Sequence, residues 1–242
     1  NSFLLPAFFN FDILTYNLYI ISLIMIDRYN TVYKFYGFCE FMINKEPLVS
    51  VVLPTYNEKD NIATIIYEIN KYLNNCEIVV VDDNSPDLTW EVAKNLNLPN
   101  VKVIRRLKDK GLAASLYEGI NNSFGKIIIW MDCDLSHPPN LIPSLANAIK
   151  DCEIVVASRY TKNGRDKRKF IRFITSYLFN LYAKYLLGLK IKDTDSGFIA
   201  VKKEVFRNIQ INPKGYGEYF IEFIYRAQKK GYKIKEIPFV ME

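Results

Sequence analysis

The chain is 242 residues long, half of them hydrophobic and 24% charged, with a formal net charge of +6 and a pI near 8.9. Those values describe a globular protein with a sizeable core and argue against disorder. The lone histidine, His137, excludes zinc sites built on several histidines; the four cysteines (Cys39, Cys76, Cys133, Cys152) show no CxxC pair and read as thiols in a reducing compartment.

The first segment, Phe3–Ile26, is apolar and aromatic but broken by Pro6, Asn10, Asp12 and Asn17. A charge such as Asp12 inside a spanning helix costs about 2.5–3.5 kcal/mol. Neither the basic n-region nor the small-residue cleavage site of a signal peptide is evident. Residues 1–41 are therefore expected to precede the functional start, as upstream sequence carried in the translation, with a membrane anchor as the alternative. The catalytic domain is expected over 42–242.

From there strands and helices alternate. Short β-branched runs predict strands at 48–54, 76–82, 101–105, 126–132 and 153–158, separated by helical patterns at 59–73, 87–97, 111–123 and 139–150. Asn84-Ser85-Pro86-Asp87 reads as a helix start, and Lys230-Gly231 as the stop of a late helix over 218–229 that precedes a strand over 232–240. This order predicts a parallel-rich sheet with helices on both faces. Neither Gly-x-Gly-x-x-Gly nor a Walker A loop is present, so dinucleotide redox chemistry and P-loop NTPase activity lack their fingerprints.

Three predicted strands run straight into acidic residues: Glu58 after the first, Asp82-Asp83 after the second, and Asp132-Cys133-Asp134 after 126–132. Open α/β sheets bind ligands at their carboxyl edge. Carboxylates gathered there repel one another unless a cation lies between them. Mg²⁺ or Mn²⁺, held jointly with a substrate phosphate, is the natural occupant of the Asp132/Asp134 pair. The bland alternative is an Asp-rich turn capping the next helix. Farther on, Arg159, Lys162, Arg165, Lys167, Arg168, Lys169 and Arg172 form a basic stretch interrupted by Asp166, and the aromatic, apolar segment 170–188 follows. A helix apolar on nearly every side suits the bilayer interface better than a small core, with the cations toward anionic headgroups. No nucleic-acid-binding motif accompanies the basic stretch.

PTYNE (54–58), VVVDDNSPD (79–87), KGLAASLYEGI (110–120), MDCDLSHPP (131–139), ASRY (157–160) and DTDSGF (193–198) occur in that order. Together they resemble the family-2 glycosyltransferases of the GT-A fold, and within them the dolichol-phosphate mannosyltransferase branch. The resemblance covers about 47–240. It implies an α/β, Rossmann-like, mostly parallel sheet with helices on both faces, plus an interfacial amphipathic helix. It also implies inverting transfer of mannose from GDP-mannose to dolichyl or polyprenyl phosphate, at the cytoplasmic face of a membrane, by a peripheral enzyme using Mg²⁺ or Mn²⁺. On the donor side, Pro54, Tyr56 and Glu58 would line the nucleoside end, Asp83 the base, and Lys110 and Gly111 the donor; Asp132 and Asp134 would flank the diphosphate and metal. Arg159, Arg172 and Ser176 match the family's acceptor-phosphate positions, so Asp134, Arg159 and Arg172 carry the catalytic expectation. Ser136 stands where many relatives have a metal-binding glutamine. Relatives usually continue into a segment with further phosphate-binding basic residues, a task for which Lys167 and Arg168 are candidates here. The alternatives are a polyprenyl-phosphate glucosyl- or other glycosyltransferase using a UDP-sugar, and a catalytically silent, membrane-associated nucleotide-binding subunit.

Overall fold

The computed structural model describes residues 48–215 and 217–241, and the expectations for residues 1–41 lie outside them. Strands β1 (Val49–Thr55), β2 (Cys76–Asp82), β3 (Val101–Arg105) and β4 (Ile127–Trp130) lie parallel in the order β3-β2-β1-β4. Helices α1 (Lys59–Tyr72), α2 (Thr89–Asn95) and α3 (Leu112–Asn121) alternate with them in the chain. β1 and β2 read as unbroken apolar runs because both faces of the sheet are covered. Val51, Leu53 and Ile78 pack with Ile62, Ile65, Ile66 and Ile69 of α1 on one face. Val52, Val79 and Val81 pack with Ala113, Leu116 and Ile120 of α3 on the other. Gly119 lets α3 approach closely, since a methyl group there would overlap the Val52 side chain.

The predicted 139–150 helix is α4 (Ile142–Ala148) between two short 3₁₀ turns, and its Ile142 and Leu145 join the α1 face. Beyond it come β5 (Ile154–Ser158), the two-residue β6 (Arg165–Asp166), and α5 (Phe170–Leu187). Next are β7 (Ile199–Lys202), α6 (Tyr219–Lys229), β8 (Ile234–Pro238) and β9 (Val240–Met241). The seven-stranded sheet has the order β3-β2-β1-β4-β7-β5-β8, and β6 pairs with β9 apart from it. Helix α6 places Phe220, Phe223 and Ile224 against the α3 side of the sheet and ends at Lys230 and Gly231, whose φ is +81°.

Strand β7 is absent from the sequence reading. Its run, Ile199-Ala200-Val201, is too short to signal a strand by periodicity. It lies antiparallel to both neighbours, with Ile199 opposite Trp130 and opposite Val156. An antiparallel strand starts where its parallel neighbours end. Residues 193–198 therefore enter the sheet beside the residues that leave β4, and the DTDSGF segment is carried to the same edge as Asp132.

Candidate active site

The carboxyl edge is braced by buried polar ties. Asp82, fully buried, accepts from Thr55 Oγ1 at 2.9 Å, from Ser85 N at 2.8 Å and from Ser85 Oγ at 2.6 Å, joining the ends of β1 and β2. Ser85 Oγ in turn accepts from Asn57 N at 3.0 Å, and Thr89 Oγ1 accepts from Glu58 N at 2.9 Å. Asp87 accepts from Lys59 N at 3.1 Å and from Thr89 N at 3.0 Å, so one carboxylate serves the first turns of both α1 and α2. The Pro54-Thr55-Tyr56-Asn57-Glu58 corner is thus held from the neighbouring loop.

Asp83, expected near a base, uses both its oxygens internally. Oδ1 accepts from Arg106 Nη1 at 2.5 Å and from Ser115 Oγ at 2.9 Å, while Oδ2 accepts from Gly111 N at 2.6 Å. Arg106 Nη2 also donates to the Asp109 carbonyl. Arg106, which the sequence reading passed over, therefore clamps residues 106–111, and Asp83 holds the clamp. The clamp presents Lys110, whose ammonium lies 5.8 Å from the centre of the exposed Tyr56 ring. Tyr56, Lys110 and Gly111, predicted from separate motifs, do share one corner.

Glu58, Asp132 and Asp134 lie near enough for their charges to act on one another. Burial raises the Glu58 pKa, Asn61 opposes this through a 2.8 Å hydrogen bond, and the charges of Asp134 and Asp132 push it up further. Burial likewise raises that of Asp132, with His137 opposing and Asp134 adding. Among the described residues no group of three or more His, Cys, Asp or Glu side chains forms a self-sufficient metal cage. Mg²⁺ and Mn²⁺ take one or two carboxylates and complete their shell with water and substrate phosphate. Ser136 Oγ is buried beside the pair without a hydrogen-bond partner among the described residues, and Ser136 N donates to Asp134 Oδ1 at 3.0 Å. The residues present fit a divalent cation shared with a diphosphate: Asp132 and Asp134 would hold it.

His137 makes a local hydrogen bond. It is fully buried, which lowers its pKa against the pull of the nearby carboxylates, and its Nδ1 accepts from Asp132 N at 3.0 Å.

The acceptor side departs from expectation at Arg159. Its guanidinium is buried, donating to Asp193 through Nε at 2.8 Å and Nη2 at 2.7 Å, while Arg159 N adds a third bond at 2.8 Å. Asp166 lies 3.8 Å from Nη1, and the Asp195 carbonyl accepts from Nη2 at 3.1 Å. Burial opposes the charge, but Asp193 outweighs it and holds the Arg159 pKa above its ordinary value. A guanidinium so engaged secures residues 193–195 and presents no open fork to a ligand. Arg168 is likewise committed, with Nε and Nη2 on Asp166 at 2.9 and 2.6 Å.

Ser176 and Arg172 are neighbours on one helix. They lie one turn apart on α5; Ser176 is tied to Tyr160 Oη at 3.1 Å, and Arg172 is exposed. Asn180 Oδ1 accepts from Thr194 N and Thr194 Oγ1 at 2.5 and 2.8 Å, so α5 is anchored to the same segment that Arg159 secures. Only Asn180 and Ala183 of α5 are buried. Phe170, Ile171, Leu178, Tyr182, Tyr185 and Leu186 are exposed, Tyr185 by 80%. No helix among the described residues is long and apolar enough to cross a membrane.

Asp195, quoted within a motif but given no role from the sequence, has a half-exposed carboxylate 4.0 Å from Arg159 Nη2. Burial raises its pKa, Arg159 opposes that, and Asp193 and Asp132 add to it. A cleft of ≈ 800 Å³ opens elsewhere, lined by Phe124, Lys126, Lys150, Lys202, Phe206 and Arg207 among others, and none of the expected site residues lines it.

The model of Glycosyl transferase family 2 matches residues 50–210. A dolichol-phosphate mannosyltransferase of Pyrococcus furiosus is 41% identical over 198 residues, covering 79% of this chain and 55% of that protein. This chain thus spans about half of that relative's length. A polyprenol monophosphomannose synthase of Mycolicibacterium smegmatis is 31% identical over 199 residues, covering 78% of this chain and 75% of that protein. Among solved structures, glucosyl-3-phosphoglycerate synthase of Mycobacterium tuberculosis, in complex with Mn²⁺, UDP and phosphoglyceric acid, superposes with a TM-score of 0.64 at 18% identity. That match covers 81% of this chain and 69% of the other, and shows likeness of fold.

Proposed function

The chain belongs to glycosyl transferase family 2, and from that premise we propose that it moves mannose from GDP-mannose to a dolichyl or polyprenyl phosphate, inverting the anomeric centre. The observation that carries the reading is the mutual electrostatic influence of Glu58, Asp132 and Asp134 at the edge that also bears the Tyr56–Lys110 corner, with Arg172 and Ser176 on a helix whose apolar side is exposed. A site of that shape can hold a sugar nucleotide's diphosphate beside a phosphate borne on a lipid. The identity with named mannosyltransferases favours mannose over other sugars.

In this reading a lipid phosphate oxygen forms the new bond to the sugar's anomeric carbon as the bond to the GDP oxygen breaks. A phosphate monoester is mostly dianionic at neutral pH, with its second pKa near about 6, so the attack needs no strong general base. That requirement suits a chain whose lone histidine is buried. The protein's task is to bring two anions together. Lys110 and the clamp made by Arg106 and Asp83 shape the donor side; Asp132 and Asp134 would hold a divalent cation there. A bound divalent cation supplies Lewis-acid stabilisation of the departing diphosphate. Arg172 and Ser176 receive the acceptor phosphate. Arg159 holds the Asp193–Asp195 segment in place and is a positioning residue. The exposed face of α5 lies in the bilayer interface, as a peripheral attachment to the cytoplasmic leaflet.

The test is incubation of the chain with radiolabelled GDP-mannose, UDP-glucose or UDP-N-acetylglucosamine, polyprenyl phosphate and Mn²⁺, with label counted in the organic phase. Label from GDP-mannose alone is the expected result. Label from a UDP-sugar overturns the donor, and no label from any donor overturns the activity.

A further inference from the structure

His137 lies at a junction that catalysis by proton transfer does not explain. It is fully buried, and its ring stacks on Phe198 at 5.0 Å between centroids and 17° between planes. Its edge meets Phe239 at 5.8 Å and 75°, and the two phenylalanines contact each other at 6.2 Å. Phe198 immediately precedes β7 and Phe239 separates β8 from β9, so three chain segments lock one imidazole.

That imidazole faces the Asp132 backbone. Asp132 N donates to Nδ1 at 3.0 Å, which places a lone pair on Nδ1 and the ring proton on Nε2. Nδ1 is also 3.9 Å from Asp132 Oδ2. On the other side lies Gly197, at φ +67°; a side chain there would come within 3.6 Å of His137 Cε1 and 3.9 Å of Asp132 Oδ2. The Asp132 carboxylate is thus bounded by a fixed ring and a residue without a side chain. A part-buried peptide N–H needs a partner, and the one supplied is on a ring packed against Phe198 and Phe239.

We propose that His137 is a positioning residue whose Nδ1 lone pair fixes the Asp132 backbone and thereby aims the Asp132 carboxylate at the cation–diphosphate. The inference rests on the metal reading of Asp132 and Asp134 given above. The competing explanation is that His137 only fills the core. The two separate because ring packing and hydrogen-bond acceptance can be removed independently. H137F keeps an aromatic ring between Phe198 and Phe239 but cannot accept from Asp132 N. H137N loses the stack but offers Oδ1 near the place of Nδ1, and H137L has the bulk of H137N without an acceptor.

The experiment titrates Mn²⁺ with excess GDP into the full chain and reads free Mn²⁺ by electron paramagnetic resonance, with thermal unfolding of each variant alongside. Partners that orient a metal ligand from behind typically change metal affinity by about 10–100-fold when removed. H137F is expected to unfold near the parent midpoint while losing Mn²⁺ affinity in that range. H137N is expected to unfold earlier yet bind Mn²⁺ much better than H137L. Equal affinity of H137F and the parent, or of H137N and H137L, overturns the positioning role while leaving the metal reading standing. If H137F does not fold, the H137N and H137L pair decides alone. Absence of Mn²⁺ uptake by the parent chain overturns the metal reading itself, and the inference falls with it.

Discussion

Replacing Asp193 with asparagine removes one charge from a position with no exposed surface while keeping its shape. Asp193 takes three donations from Arg159, at 2.7 to 2.8 Å, and the guanidinium is only 2% exposed. Removing one partner of a buried ion pair costs about 3–5 kcal/mol, because the other charge stays behind uncompensated. Here Asp166 and Asp195 remain at 3.8 and 4.0 Å from the guanidinium, which puts the expected loss at the lower end. For a domain of this size, about 3 kcal/mol lowers the melting temperature by roughly 6–12 °C. Urea unfolding should show the same loss as a lower midpoint with an unchanged slope. Pairing Asp193→Leu with Arg159→Met removes both charges and should recover much of the loss, since apolar replacement of a buried pair is often neutral. If Arg159 were chiefly a phosphate ligand, Asp193→Asn would free it, tightening lipid-phosphate binding at little cost in stability. A melting temperature within about 2 °C of the parent would refute the reasoning.

Asp134→Asn should abolish sugar transfer, by about 10³-fold or more if the cation's stabilisation of the leaving group is worth several kcal/mol, while leaving the unfolding curve unchanged. Near-parental turnover at saturating Mg²⁺ or Mn²⁺ would remove Asp134 from the metal site. Arg172→Ala deletes a charged hydrogen bond worth about 1.5–3 kcal/mol, so KM for the lipid phosphate should rise roughly 10- to 100-fold with GDP binding unaffected; unchanged kinetics in the lipid would exclude it. Leu178→Glu and Leu186→Glu, on the exposed side of α5, should each weaken co-sedimentation with anionic vesicles about tenfold or more, since burying a leucine contributes about 1.5–3 kcal/mol. Equal partitioning of these variants and the parent would take α5 off the membrane.

The parallel half of the sheet was legible because β1, β2 and β4 are buried on both faces and the half-buried edge strand β3 is rich in β-branched residues. Glu77-Ile78-Val79-Val80-Val81 and Val101-Lys102-Val103-Ile104 announce themselves by β-branched content, and the observed spans of β2 and β3 coincide with the predicted 76–82 and 101–105. The stop at Lys230-Gly231 was readable because a glycine at φ +81° follows a basic last turn. What failed was β7, four residues whose placement is decided by partners more than forty positions away in sequence, Trp130 on one side and Val156 on the other. Local pattern carries no trace of such pairing. Losing β7 also hid the reason that the DTDSGF segment lies beside Asp132.

The donor half of the site could be anticipated for the same physical reason as its strands: each carboxylate follows an apolar run that the sheet fixes, so position along the chain sets position at the edge. The acceptor half could not. Charges crowded between Arg159 and Arg172 read as a basic surface when counted in sequence, yet the counter-charge that decides the first of them is Asp193, thirty-four residues later. Asp166, inside the run, takes up Arg168 as well as facing Arg159. The stretch therefore holds both cations committed to carboxylates, Arg159 and Arg168, and exposed ones such as Arg172, which stands on α5 one turn from Ser176. Burial separates the two roles: a guanidinium removed from water and held by two bonds to one carboxylate keeps a loop in place, while one left in water can exchange its hydration for a phosphate. It follows that substitution at Arg159 confounds fold with ligand binding. Asp193 and Arg172, changed separately, divide the stability of the site from its affinity.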